Sequence, residues 1–105
     1  MVIVETPVFT RSILSILSDE EYRLLQAQLV DKPDAGKIIQ GSGGLRKLRW
    51  SAGGHGKRGG VRIIYYWIVA RETILLIFAY AKNERDDLTS DQLRQLRDLV
   101  EGEYL

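Results

Sequence analysis

The spacing of apolar residues changes twice along the chain. From residue 6 to 33 they recur every three or four positions. From 45 to 81 they gather in short β-branched and aromatic runs, and after 89 the helical spacing returns. Thr6 followed by Pro7 predicts a helix start, because threonine caps and proline fits the first helical position. Phe9, Ile13, Leu14, Ile16 and Leu17 then form a helical stripe. Ser18 with Glu21 has the spacing of a capping box and opens a second helix. Tyr22, Leu25 and Leu29 make its stripe, with Leu24 beside it, and Pro33 stops it. The two helices predict a hairpin that covers a sheet.

Residues 2–4 read as a first strand, and residues 34–44, DAGKIIQGSGG, as a loop ending in glycines. Residues 45–50 alternate, with Leu48 and Trp50 on one face and Lys47 and Arg49 on the other. The segment 51–60, SAGGHGKRGG, holds five glycines in ten residues and predicts a long turn. Residues 61–69 and 73–81 are apolar nearly throughout, as central strands are. Thr89 and Gln92 have the spacing of another capping box, followed by Leu93, Leu96, Val100 and Tyr104 on one helical face. Short connections make the last three strands an antiparallel meander. The expected fold class is α+β: a small twisted antiparallel sheet, an N-terminal helical hairpin and a C-terminal helix, with helices on one face. The length of 105 residues suits one domain, residues 1–105, and no internal repeat divides it.

Composition removes several function classes. There is no cysteine, so neither a disulfide framework nor thiolate metal binding is available. The single histidine, His55, makes a zinc site improbable on ligand number. No signal-like start and no run of about 18 apolar residues occurs, which predicts a soluble, cytoplasmic protein. The glycines spell neither a Walker loop nor a dinucleotide fingerprint. Charge adds the positive signal. Residues 35–71 carry eight bases and no acid, whereas residues 72–105 carry eight acids and four bases. Such a block predicts one basic surface that attracts a polyanion by counterion release.

Strand parity sorts these bases. If helices cover the Trp50 side, the other face collects Lys47, Arg49, Arg62, Tyr80 and Lys82, with Lys57 and Arg58 overhanging from the glycine turn. Cations for phosphates and an aromatic for base stacking suit single-stranded RNA. Arg62 stands out because it opens an otherwise apolar strand, where an arginine needs a partner. A phosphate is one candidate partner, and a carboxylate such as Glu84 is the other. His55 reads first as a solvated loop residue and only second as an acid or base.

The stretches GSGGLRKLRW, GKRGGVRIIYYW and ILLIFAYAKNERDDLTSDQLRQL resemble the RelE/HigB superfamily of toxins from bacterial type II toxin–antitoxin systems, in particular the HigB-like branch. The resemblance spans about residues 40–100. It implies a microbial-RNase-like fold and ribosome-dependent cleavage of mRNA in the A site by 2′-hydroxyl attack, with no metal and no cofactor. It also implies a cognate antitoxin, often with a helix-turn-helix DNA-binding part. Arg62, Lys82 and Lys57 match the family's catalytic arginine and lysines. Arg46, Lys47, Arg49, Arg58 and Tyr80 are the candidate RNA-binding set. In place of an arginine common in better-known members this chain has Asn83, and the tyrosine those members carry a few residues later falls near Thr89 of this chain. A non-catalytic nucleic-acid-binding module accounts for the charge block equally well, and a superfamily relative with another target, such as gyrase, is a third reading. An edge strand, residues 2–4 or 45–50, is the expected docking place for an antitoxin.

Overall fold

The N-terminal helical patterns form α1 (Pro7–Ile16) and α2 (Asp19–Asp31) in a computed structural model that describes residues 1–51, 60–82 and 87–105. Thr6 caps α1 by accepting the Phe9 amide, and Ser18 caps α2 by accepting the Glu21 amide. The strands are β1 (Val2–Glu5), β2 (Lys37–Ile38), β3 (Arg46–Trp50), β4 (Val61–Ile68) and β5 (Thr73–Ala81). A single 3₁₀ turn, Val69–Arg71, joins β4 to β5 and closes with Glu72 in the left-handed region. The C-terminal helix, α3 (Ser90–Glu103), has the full reciprocal capping box between Thr89 and Gln92. The architecture is α+β, three helices and a five-stranded sheet in the order β1-β5-β4-β3-β2.

Three features depart from the sequence expectation. The meander β3–β4–β5 is antiparallel, but β1 joins β5 in parallel. Parallel pairing needs a long connection, and the helical hairpin with three intervening strands supplies it. Part of the expected loop 34–44 is the short strand β2, which pairs with the start of β3 and so covers much of what was expected to be an edge. The helices also lie on both faces. On one, Phe9, Ile13, Leu25 and Leu29 of the hairpin pack against Leu48, Val61, Ile63, Tyr65, Ile74 and Leu76. On the other, Val100, Leu93 and Leu96 of α3 pack over Leu45, Ile64, Leu75 and Ile77. The central strands are apolar on both sides, so both sides need cover.

A bulge sets which face the end of β5 presents. Ile64 stands opposite Phe78 while Tyr65 stands opposite Leu76, which leaves Ile77 as the extra residue. Thr6 ties this point to the hairpin: its amide donates to the Leu76 carbonyl at 3.0 Å and its hydroxyl donates to the Ile77 carbonyl at 2.8 Å. Elsewhere Tyr65 anchors the segment after α2. Its hydroxyl donates to the Pro33 carbonyl at 2.7 Å and accepts the Gly36 amide at 2.8 Å. Tyr65→Phe leaves both backbone groups without that partner. The expected loss is about 2 kcal/mol, or roughly 10 °C in thermal midpoint. Unchanged melting of Tyr65→Phe would show that water or a shifted loop replaces both bonds.

Candidate nucleic-acid interface

Cross-strand register builds the site on the α3 side of the sheet. Lys37 stands opposite Lys47, Lys47 opposite Ile64, and Ile64 opposite Phe78. In the next row toward the glycine-rich segment, Arg49 stands opposite Arg62, and Arg62 opposite Tyr80. Directly opposed residues share a face, with strands about 4.8 Å apart. Two like-charged pairs, Lys37–Lys47 and Arg49–Arg62, therefore lie in successive rows. Like charges so placed repel, and a polyanion across both rows removes the repulsion. Arg49 and Lys37 are exposed, while Arg62 is only 6% exposed. A guanidinium at that depth acts through a medium that screens it less than water does.

The face also holds a carboxylate that strand parity does not foresee. Asp87, just before α3, accepts a hydrogen bond from Lys47 Nζ at 2.9 Å. The hydrogen bond and charge of Lys47 come first among the influences that hold its carboxyl below the ordinary range, and the charges of Lys82 and Arg62 add to it. Asp87 thus touches Lys47 and feels the charges of Lys82 and Arg62. The Lys82 amide donates to the Gly60 carbonyl at 3.1 Å, which fixes the end of β5 to the start of β4.

Not every candidate arrives here. Arg46 belongs to the hairpin side of the sheet. Its guanidinium donates to the Gly36 carbonyl at 2.8 Å and lies 5.9 Å from the Trp67 ring centroid, so it braces the segment after α2. Tyr80 reaches the right face but is 5% exposed, packed in the apolar cluster under α3 with its ring 5.9 Å from that of Phe78. It forms part of a wall and does not offer an open stacking face. Lys57, Arg58 and His55 lie outside the described residues, as does Glu84, the carboxylate considered for Arg62. The position near which a family tyrosine falls is occupied by Thr89, and its hydroxyl is spent on capping α3. Sequence reading missed Lys37 and Asp87 as members of the site. Lys37 lies in a stretch whose glycines read as loop, and Asp87 is one of the eight acids that crowd residues 72–105.

Residues 3–103 match the sequence family described as the RelE toxin of the RelE/RelB toxin–antitoxin system. The chain belongs to the RelE toxin family. Among solved structures it is similar to the E. coli toxin RelE, determined in the free state as a double arginine-to-alanine mutant. That likeness has 13% identity and a TM-score of 0.59, and covers 99% of this chain and 97% of the other. At that identity the likeness shows the shared RelE fold. Family membership makes the chain a toxin of a toxin–antitoxin system. Among the described residues no helix is long and apolar enough to cross a membrane, and no His, Cys, Asp and Glu cluster has the make-up to hold a metal ion.

Proposed function

We propose that this RelE-family chain is a HigB-like mRNA interferase, acting as one domain in the cytoplasm on mRNA in the ribosomal A site. The observation that carries the reading is the pair of like-charged cross-strand rows, Lys37–Lys47 and Arg49–Arg62. Such rows favour an anion laid along them, and an RNA backbone has charges in series.

The reaction is attack of a 2′-hydroxyl on the neighbouring phosphate, with loss of the 5′ oxygen. Arg62 stabilises the phosphorane, since a guanidinium matches two phosphate oxygens at once. Lys82 and Lys57 add charge, and one of them moves a proton. Arg49, Lys37 and Arg58 hold the backbone or ribosomal RNA, and Lys47 faces the RNA from the same side of the sheet. Arg46 supports the fold from the other side. The roles assigned here fall to lysines and arginines, which are protonated at neutral pH, so the ribosome contributes by aligning the 2′-hydroxyl with the phosphate. A cognate antitoxin, carrying a helix-turn-helix part, silences the toxin from outside. The exposed edge of β1, where Val2 is 56% exposed, offers it a strand to pair with.

Incubation with translating ribosomes tests the reading. Codon-positioned cuts with 2′,3′-cyclic phosphate ends are expected. Arg49→Gln should weaken ribosome binding evenly at all codons and lower the salt slope of log K by about one, the value of one phosphate contact. Salt-sensitive binding without any cut would select a non-catalytic binding module instead.

A further inference from the structure

A cleft of about 200 Å³ lies on the cationic face beneath the start of α3. Its apolar lining is Ile39, Ile64, Leu88 and Leu93, with Tyr80 as a wall. Lys47 and Asp87 line it as well, joined by their 2.9 Å bond. The volume is below the roughly 300 Å³ at which drug-sized pockets begin, so it has room for a single ring system. Register places it one row from Arg62: Lys47 and Ile64 stand opposite one another, as do Arg49 and Arg62 in the next row.

We propose that this cleft is a base-reading pocket for guanine, with Lys47 and Asp87 as its reading groups. The inference rests on the ribonuclease reading and adds the base that the enzyme selects. Lys47 Nζ is a donor, and an ionised aspartate presents two acceptors. Lys47 Nζ donates to Asp87 Oδ1, which sets one donor beside the two acceptors of the carboxylate. Guanine's Watson–Crick edge runs acceptor, donor, donor: O6, N1–H and the exocyclic amino group. Its O6 takes the Lys47 proton, and its two donors meet the two carboxylate oxygens of Asp87. Uracil fails at the third position, where it has an acceptor. Adenine and cytosine fail at the first two, where donor and acceptor are reversed. Hydrogen bonds to an ionised group are the strong kind, and a bidentate pair adds geometric specificity.

The surroundings support this. Asp87 is an exposed carboxylate and so carries its charge at neutral pH, and Lys47, with smaller contributions from Lys82 and Arg62, holds its carboxyl below the ordinary range. The Lys47 side chain is 29% exposed and that of Asp87 68%, so the reading groups are open to an entering edge while the ring enters the apolar part. As a simple surface ion pair, Lys47 and Asp87 would contribute little to stability, and no base-sized cleft would be needed beside them.

The experiment is an NMR titration of the full chain with the four nucleoside 3′-monophosphates. Guanosine 3′-monophosphate should bind about tenfold or more tightly than the others and move the signals of Lys47, Asp87, Leu88 and Leu93. Asp87→Asn, which puts a donor where guanine also has one, should bring all four nucleotides to within about twofold. On ribosomes, cuts by the native chain should share a guanine at one fixed position, and Asp87→Asn should spread them over all four bases. Leu93→Trp, which fills the cleft without touching the charged pair, should abolish guanosine selectivity too. Equal binding of all four nucleotides, shifts confined to residues outside the cleft, or guanine preference surviving in Asp87→Asn would overturn the inference. Selective guanosine binding by a chain that never cuts mRNA would overturn the ribonuclease reading and leave the pocket standing. Cutting without base preference would do the reverse.

Discussion

Arg62→Ala is expected to lower mRNA cleavage by about 10²–10³-fold, the usual loss when one donor to a developing oxyanion is removed, and to end growth arrest on expression. The argument starts from position. Arg62 is the second residue of β4, between Arg49 on one neighbouring strand and Tyr80 on the other. At 6% exposure, little of the residue meets bulk water. Charge stabilisation of a phosphorane is worth more there than at the rim, where water competes. Arg62→Lys separates charge from shape. Lysine keeps the charge but loses the planar fork, so it should recover only a small part of the rate. Circular dichroism and antitoxin binding check that both variants fold. Full cleavage by a stable Arg62→Ala chain would sink the assignment.

Gly60→Ala should be the most damaging small substitution outside the apolar core. Gly60 has φ +70°, where a side chain costs about 1–2 kcal/mol. A Cβ there would also stand 2.4 Å from the Trp50 carbonyl oxygen, a contact with backbone that cannot swing away. The Gly60 carbonyl in turn accepts the Lys82 amide at 3.1 Å. Relief of the clash must therefore move the start of β4, the end of β3 or the end of β5. Those three places carry Arg62, Arg49 and Lys82. The expected loss is about 3 kcal/mol of stability, or roughly 10–20 °C, together with most of the activity. Gly41→Ala isolates the cause. Gly41 has φ +76° but nothing within 4 Å of an added Cβ, so only the conformational part should be lost. Equal destabilisation at the two positions would show that the Trp50 contact relaxes at no cost.

Much of the site was legible because strand alternation is a local property. Lys47 and Arg49 two residues apart in one strand, and Arg62 alone among apolar neighbours in another, announce a charged face whatever surrounds them. Alternation is less secure in β5. Counting back from Tyr80 by twos puts Leu76 on the same face, yet Leu76 packs under the hairpin while Tyr80 packs under α3. The bulge at Ile77 resets the count, and the Thr6 hydroxyl that satisfies its carbonyl is 71 residues away. Arg46 shows the same limit from the other side. Its place in the basic block suggested RNA, but its face and its partner, the Gly36 carbonyl, make it a brace.

The sequence by itself determined every element but the short strand β2 and the 3₁₀ turn, the helix caps, the meander and the presence of one strongly basic region. Each of these depends on residues within a few positions of one another: a Thr6 or Thr89 cap, a 3.6-residue stripe, a β-branched run. Only the tertiary structure decided that β1 runs parallel to β5, that α3 covers the face opposite the hairpin, and that Asp87 meets Lys47. These depend on which surfaces are left to bury once the local elements exist, and on partners 40 residues or more apart, such as Lys47 and Asp87. Apolar burial has no direction of its own, so the pattern can require a covered face without naming the helix that covers it.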